Sequence, residues 1–214
     1  NAARCVAAVV ATELGRPTVT IETEDQVLGA YAGADGAVTI DMGEPRLRWD
    51  EIPLAEEFHD TSGIELQAGP IDAPVMHSPG VVSMGNPHAI FFVDDVDGIE
   101  LDRIGSMLEH HLLFPERANI SIAQILSLSH LRLRTWERGV GLTRACGTAA
   151  CASAVTAVRR GLTDRQVTVS LPGGDLVIEW RETDGHVLMT GPYALDFEGT
   201  LPGEVFDTGE AQGV

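Results

Sequence analysis

No run of apolar residues reaches the roughly 18–20 that a membrane-spanning helix needs, so no bilayer span is expected. Basic side chains are scarce. Fourteen Lys and Arg stand against 32 Asp and Glu, a formal charge of −18. Nucleic acids and anionic membranes are held by basic patches, so this charge argues against both as partners. The acidic groups are spread along the chain and read as a solvated surface. Cysteine is sparse too: Cys5, Cys146 and Cys151 make an odd number with no C-x-x-C pair. That pattern reads as reduced thiols in a cytoplasm. The seven histidines are scattered, only His110 and His111 being adjacent, and no zinc-type ligand set is visible. The first residues, N-A-A-R-C-V-A-A-V-V, lack the basic start and cleavage site of a secretory signal. They also lack an initiator Met and open inside a helical pattern, so residues are expected upstream. What is present is an ordinary globular composition, 44% hydrophobic and 21% charged. The 214 residues suffice for one large domain or two small ones.

Two segments resemble each other, Asn1 to Gly43 and Thr148 to Gly191. Each opens on a helix of small residues, N-A-A-R-C-V-A-A-V-V against T-A-A-C-A-S-A-V-T-A. Each continues with an alternating strand (T-V-T-I-E-T, Q-V-T-V-S-L) and a second strand (Q-V-L-G-A-Y, D-L-V-I-E-W). An Asp-Gly turn and a third strand follow (A-V-T-I-D-M-G, H-V-L-M-T-G). Period-2 alternation and Asp-Gly turns are strand and hairpin signals. Two copies fall short of the three that a solenoid needs. They suit an α+β fold of two pseudo-symmetric domains, each a curved antiparallel sheet around a central helix. Residues 1–46 form the remainder of the first domain and 47–191 the second, with the tail 192–214 expected to return to the first. Between the copies, Val81 to Val93 reads as two strands around G-N-P-H. Leu101 to His110 reads as a short helix, and Asn119 to Leu126 and His130 to Glu137 as strands.

The strongest chemical signal is T-R-A-C-G-T-A-A-C. Cys146, Gly147 and Thr148 precede an Ala-rich helix. Gly147 lets a ligand approach the backbone, and the free amides and dipole of a helix start favour an anion. The same field should make Cys146 ionise more readily than an ordinary thiol. Cys5 and Cys151, inside helices, read as buried structural cysteines instead. In M-G-N-P-H, a turn between apolar strands would present Asn86, which can donate to a carboxylate and accept from an ammonium. His88 there could assist proton transfer; a plain Asn-Pro turn with a solvated His is the alternative. In L-R-L-R-T-W-E-R, alternation puts Leu131, Leu133, Thr135 and Glu137 on one face. That leaves a carboxylate at the end of an apolar face, unfavourable unless it is partnered or used. Arg138 could clamp a carboxylate, although an ordinary strand-end ion pair explains the pair equally well. Asn119, opening a strand, is a weaker candidate.

At these residues the sequence resembles the diaminopimelate epimerase family. M-G-N-P-H, W-E-R-G and A-C-G-T-A-A-C look like its signature segments, and N-A-A-R-C looks like the remainder of C-G-N-x-x-R-C. The resemblance covers nearly the whole chain. It implies two pseudo-symmetric α+β domains with a site in the cleft between them, and cofactor-independent inversion of LL-diaminopimelate to the meso form. It also implies a place in lysine biosynthesis in the bacterial cytoplasm, a small-molecule amino-acid substrate, and no metal; a homodimer stays open. Carried over by position, Cys146 is one of two acid/base cysteines, with Glu137 and His88 assisting. Asn1, Asn86, Asn119, Glu137, Arg138, Gly147 and Thr148 contact the substrate. Leu142 and Ala150 depart from the residues common in the family, Glu and Gly. The partner cysteine is expected two residues before Asn1. Competing readings are a proline racemase-like or phenazine-biosynthesis-like isomerase, a non-catalytic binding domain, and a cysteine hydrolase pairing Cys146 with His88.

Overall fold

A computed structural model describes residues 2–23, 27–34 and 36–200. Helix α1 (Ala2–Leu14) buries Arg4, Ala7, Ala8 and Ala11. These recur every three or four positions and so form one stripe. Cys5 falls off that stripe and is exposed, which corrects its reading as a buried structural cysteine. Strands β1 (Thr18–Glu22), β2 (Val27–Ala32) and β3 (Ala37–Asp41) follow as an antiparallel meander. Their inward side chains, among them Val19, Leu28 and Ile40, join the α1 stripe in one core.

The middle of the chain gives a short ribbon, β4 (Gln67–Ala68) and β5 (Met76–His77). A hairpin follows, β6 (Gly80–Ser83) and β7 (Pro87–Phe92), then helix α2 (Leu101–Glu109). Next come β8 (Asn119–Ser127), β9 (His130–Glu137) and β10 (Gly141–Thr143). Helix α3 (Gly147–Arg159) and strands β11 (Gln166–Leu171), β12 (Gly174–Trp180) and β13 (Val187–Pro192) repeat the order of the first four elements. The fold is α+β, mostly sheet with few helices. Among the described residues, no helix is long and apolar enough to cross a membrane.

Eleven of the described strands form one sheet, along the path β1-β2-β3-β13-β12-β11-β9-β8-β7-β6 with β10 on β9. The two copies meet where β3 pairs antiparallel with β13. Ile40 lies opposite Met189 and Val38 opposite Gly191, while the Met42 N–H donates to the Val187 carbonyl at 2.9 Å. In the repeat, Ile40 corresponds to Met189 and Val38 to Val187. The pairing is therefore that of a local twofold axis through Ile40 and Met189. The hydroxyls of Thr39 and Thr190 hydrogen-bond across this seam at 2.8 Å.

The sheet is not wholly antiparallel as the sequence suggested. β7 runs parallel to β8, and β9 parallel to β11. Parallel neighbours need a crossover, and the two intervening helices, α2 and α3, supply it. Residues 149–157 of α3 are all buried, wrapped by strands from β6 to β13. A helix apolar on every side belongs in such a position, and its Ala, Ser and Cys side chains let the strands come close. A second core cluster, with Phe91, Leu101, Leu108 and Ile120, lies under α2.

The tightest approach to α3 is at Gly80 of β6. A Cβ there would stand 2.1 Å from Thr156 Cγ2 and 2.9 Å from the Ser62 carbonyl oxygen. Gly80→Ala is expected to cost about 1–3 kcal/mol through overpacking. Urea titration should show a lower midpoint with an unchanged slope.

Candidate active site

The site is assembled where the β9–β10 hairpin meets the start of α3. Gly139 turns the hairpin with φ at +74°, a left-handed conformation that suits glycine. The register then sets Gly141 opposite Glu137 and Thr143 opposite Thr135. Alternation along β9 buries Leu131, Leu133 and Thr135 and leaves Glu137 half-buried at the end of that face. Its carboxylate accepts a 2.5 Å hydrogen bond from the Thr143 hydroxyl. Thr143 has no place in the sequence expectation. Only its position diagonal to Glu137 across the hairpin gives it away, and β10 itself was not foreseen.

Cys146 is extended (φ −137°, ψ 110°) and caps α3, and its carbonyl accepts from the Ala150 N–H at 3.1 Å. The amides of the first turn are left without intrahelical partners. Cys146 Sγ lies 3.5 Å from Thr148 Oγ1, and the Ala149 N–H and the Glu137 carboxylate are close enough to act on its titration. The sequence pointed to a thiol that ionises readily; the structure reverses this. Burial pushes the Cys146 thiol up, and the Glu137 carboxylate pushes it further. The Thr148 hydroxyl and Ala149 N–H pull the other way without prevailing. With 6% of its surface exposed, Cys146 loses more by desolvation than the helix start returns. Cys151, one turn on, is fully enclosed, and burial raises it to about 12.

A cavity of about 300 Å³ opens on this thiol. Ala3, Leu28 and Met42 from the first copy face Glu137, Cys146, Gly147 and Thr148 across it. Met189, from the seam, completes the wall. Asn86 reaches the group through a long contact, Nδ2 to Thr148 Oγ1 at 3.5 Å. Behind it, fully buried His88 donates from Nε2 to Asn86 Oδ1 at 2.9 Å. His88 Nδ1 is then bare and has no hydrogen-bond partner among the described residues. Burial, and next the charge of Arg138, lower His88 to about 3. The imidazole is thus a neutral support for Asn86, separated from the sulfur by Asn86 and Thr148.

Asn119 is buried and acts as a strut. Its Nδ2 donates to the Pro87 carbonyl at 3.0 Å, and its Oδ1 accepts from the Arg138 N–H at 2.9 Å. The exposed Arg138 guanidinium donates to the Glu116 carbonyl at 3.0 Å. The structure therefore brings Glu137, Cys146, Gly147 and Thr148 to one cavity. Asn86 is joined to them through Thr148, His88 lies behind Asn86, and Asn119 and Arg138 sit at the hairpin's flank. Asn1 lies outside the described residues. Among those residues, no group of three or more His, Cys, Asp or Glu is placed to hold a metal ion. A protonated thiol, a carboxylate that can take its proton and a helix start that favours an anion suit proton transfer at a carbon beside a carboxylate.

The family profile described as diaminopimelate epimerase matches residues 80–195. The chain is 58% identical over 207 residues to the diaminopimelate epimerase of Afipia carboxidovorans, covering 96% of this chain and 71% of that one. Among solved structures, a predicted epimerase from Pseudomonas aeruginosa superposes with a TM-score of 0.57 at 19% identity, over 87% of this chain and 68% of the other. A hydroxyproline epimerase from Agrobacterium vitis does so with a TM-score of 0.59 at 15% identity, over 88% and 61%. These two establish the fold alone. The identity and reach of the first match, together with the family profile, establish that this chain belongs to the diaminopimelate epimerase family.

Proposed function

We propose that this protein is an isomerase that interconverts LL- and meso-diaminopimelate in lysine biosynthesis, by a two-thiol exchange of the α-proton. The observation that carries the mechanism is Cys146 at the mouth of α3, its sulfur beside Glu137 and facing a cavity shared by both copies of the repeat. Inverting a carbon requires a proton taken from one face and delivered to the other. We place the second thiol two residues before Asn1, where matching Cys146 to its counterpart in the repeat would put it.

The α-proton of an amino acid is weakly acidic, so the carbanion must be met by fixed dipoles in a dry cleft. The unpartnered amides at Gly147 and Thr148 are suited to the substrate's α-carboxylate. With its thiol raised by burial, Cys146 rests as the acid of the pair. Glu137, which lines the same cavity, can take the S–H proton when the direction reverses. Asn86, fixed by neutral His88, would meet the substrate's ammonium or carboxylate, and Arg138 would meet its distal end. On this reading Ala3, Leu28 and Met42, from residues 1–46, and Glu137 and Cys146 to Thr148, from residues 47–191, supply the two walls of the cleft. The three free thiols support a reducing compartment, and we place the protein in the cytoplasm.

In the full-length enzyme, Cys146→Ala should reduce epimerisation by about a thousand-fold or more, as expected on losing a positioned proton donor. The assay is deuterium incorporation at the α-carbon of LL-diaminopimelate in heavy water, with proline as the control substrate. Near-normal exchange would refute the role given to Cys146; exchange on proline alone would refute the substrate. Iodoacetamide labelling followed by peptide mass should place the Cys146 midpoint above that of a free cysteine peptide. Glu137→Gln should bring that midpoint down. His88 gives a further pH dependence. Between pH 6.5 and about 3 the unfolded chain takes up a proton at His88 that the folded chain does not. Stability should therefore fall as pH drops through that window. Urea midpoints across it should fall less steeply in His88→Gln; equal slopes would show that His88 is not held neutral.

A further inference from the structure

The turn that presents Glu137 and Arg138 is held from behind by a side chain that the reaction itself does not need. Glu109, in the last turn of α2, has only 4% of its side chain exposed. Its Oε2 accepts from Trp136 Nε1 at 2.7 Å, and its Oε1 accepts from the Gly139 N–H at 2.9 Å. These two donors flank the Glu137–Arg138 pair on either side. One turn earlier on α2, Gly105 lies so close to the Trp136 indole that a Cβ there would stand 2.5 Å from the ring. On the other side, a Cβ at Gly141 would come within 3.7 Å of the same ring. The indole is thus clamped between two glycines and tied at its nitrogen.

This is a poor place for a carboxylate on stability grounds. The C-terminal end of a helix disfavours an anion, and burial of a charge is costly. Arg117 approaches no nearer than 3.8 Å. Burial acts to raise the Glu109 carboxyl; the Trp136 and Gly139 hydrogen bonds, with the charges of His110 and Arg117, outweigh it and leave it below its ordinary value. An apolar side chain would fill the space without that expense. What an apolar side chain lacks is two acceptors that reach both ends of one dipeptide. With Asn119 holding the Arg138 N–H, two successive amides of the turn are fixed by two buried side chains.

We propose that Glu109 is a positioning residue for the reaction, which sets the Glu137–Arg138 turn against Cys146 and does not itself touch substrate. This rests on the reading of Glu137 and Arg138 as site residues.

The test uses the full-length enzyme and three variants, Glu109→Gln, Trp136→Phe and Glu137→Gln, assayed at a temperature where circular dichroism shows each folded. An amide at position 109 keeps the volume but turns a donor toward one of the two N–H groups. Glu109→Gln is expected to lower kcat for α-proton exchange about 10–100-fold, the scale of a small misplacement of a reacting group. It should also shift the pH midpoint of Cys146 alkylation downward, in the direction expected for Glu137→Gln. Trp136→Phe removes one of the two hydrogen bonds and should lose less activity. If Glu109→Gln does not fold, Trp136→Phe decides: reduced kcat with a shifted midpoint supports the proposal, and wild-type values overturn it. A folded Glu109→Gln with wild-type kcat and an unchanged Cys146 profile overturns it, as does a loss confined to melting temperature. If Glu137→Gln is impaired while Glu109→Gln is not, only the positioning role fails. A fully active Glu137→Gln sinks the site reading and the proposal with it.

Discussion

Strand β3 and strand β13 each end a three-stranded meander, and each would leave a row of backbone donors and acceptors without partners. Buried backbone groups must be paired, and here each strand is the other's answer. Because the two belong to corresponding positions of the repeat, their pairing generates a local twofold axis at Ile40 and Met189. The rest of the site inherits this symmetry. Met42 and Met189, both at the seam, line the same cavity as Cys146. The starts of α1 and α3 face that cavity because each helix packs on its own copy of the meander.

At the site itself two familiar effects oppose each other. The start of a helix lowers the cost of a negative charge, and removal from water raises it. For Cys146 the second prevails, helped by the carboxylate next to it. The same burial keeps His88 neutral. The cleft therefore holds its protons on sulfur and leaves imidazole uncharged, which is opposite to what a helix start beside a histidine suggests. Acidic side chains stand where hydrogen-bond donors are already in place, Glu137 with Thr143 and Glu109 with Trp136 and Gly139.

Much of this was legible in the chain. Alternation located β9 with both its ends, and the repeat foretold the order of eight elements and the correspondence of β3 to β13, but not that the two would pair. The small residues after Cys146 marked a helix, though not how completely strands would enclose it. What stayed hidden depends on partners distant in sequence. Parallel neighbours such as β7 and β8 have no local signature, since a crossover decides them. The two-residue strands β4 and β5 are too short for any period to show. Cys5 reads as buried because its helix is apolar, yet it sits off the stripe that faces the sheet. The thiol's true tendency could not be read either: a motif shows the helix start but not the depth of burial. Glu109 looks like an ordinary helical surface residue until the hairpin is folded onto it.

The seam also has a temporal side. Thr39 and Thr190, which hydrogen-bond across it, are 151 residues apart. Contacts of such separation form slowly, since the intervening chain must first be ordered. During synthesis the inner edge of β3 exists long before its partner leaves the ribosome. Through that interval it is an open strand edge, the kind of surface on which chains misassociate. A molecule whose two halves are stitched by strands so far apart in sequence thus closes this seam only after β13 has been made.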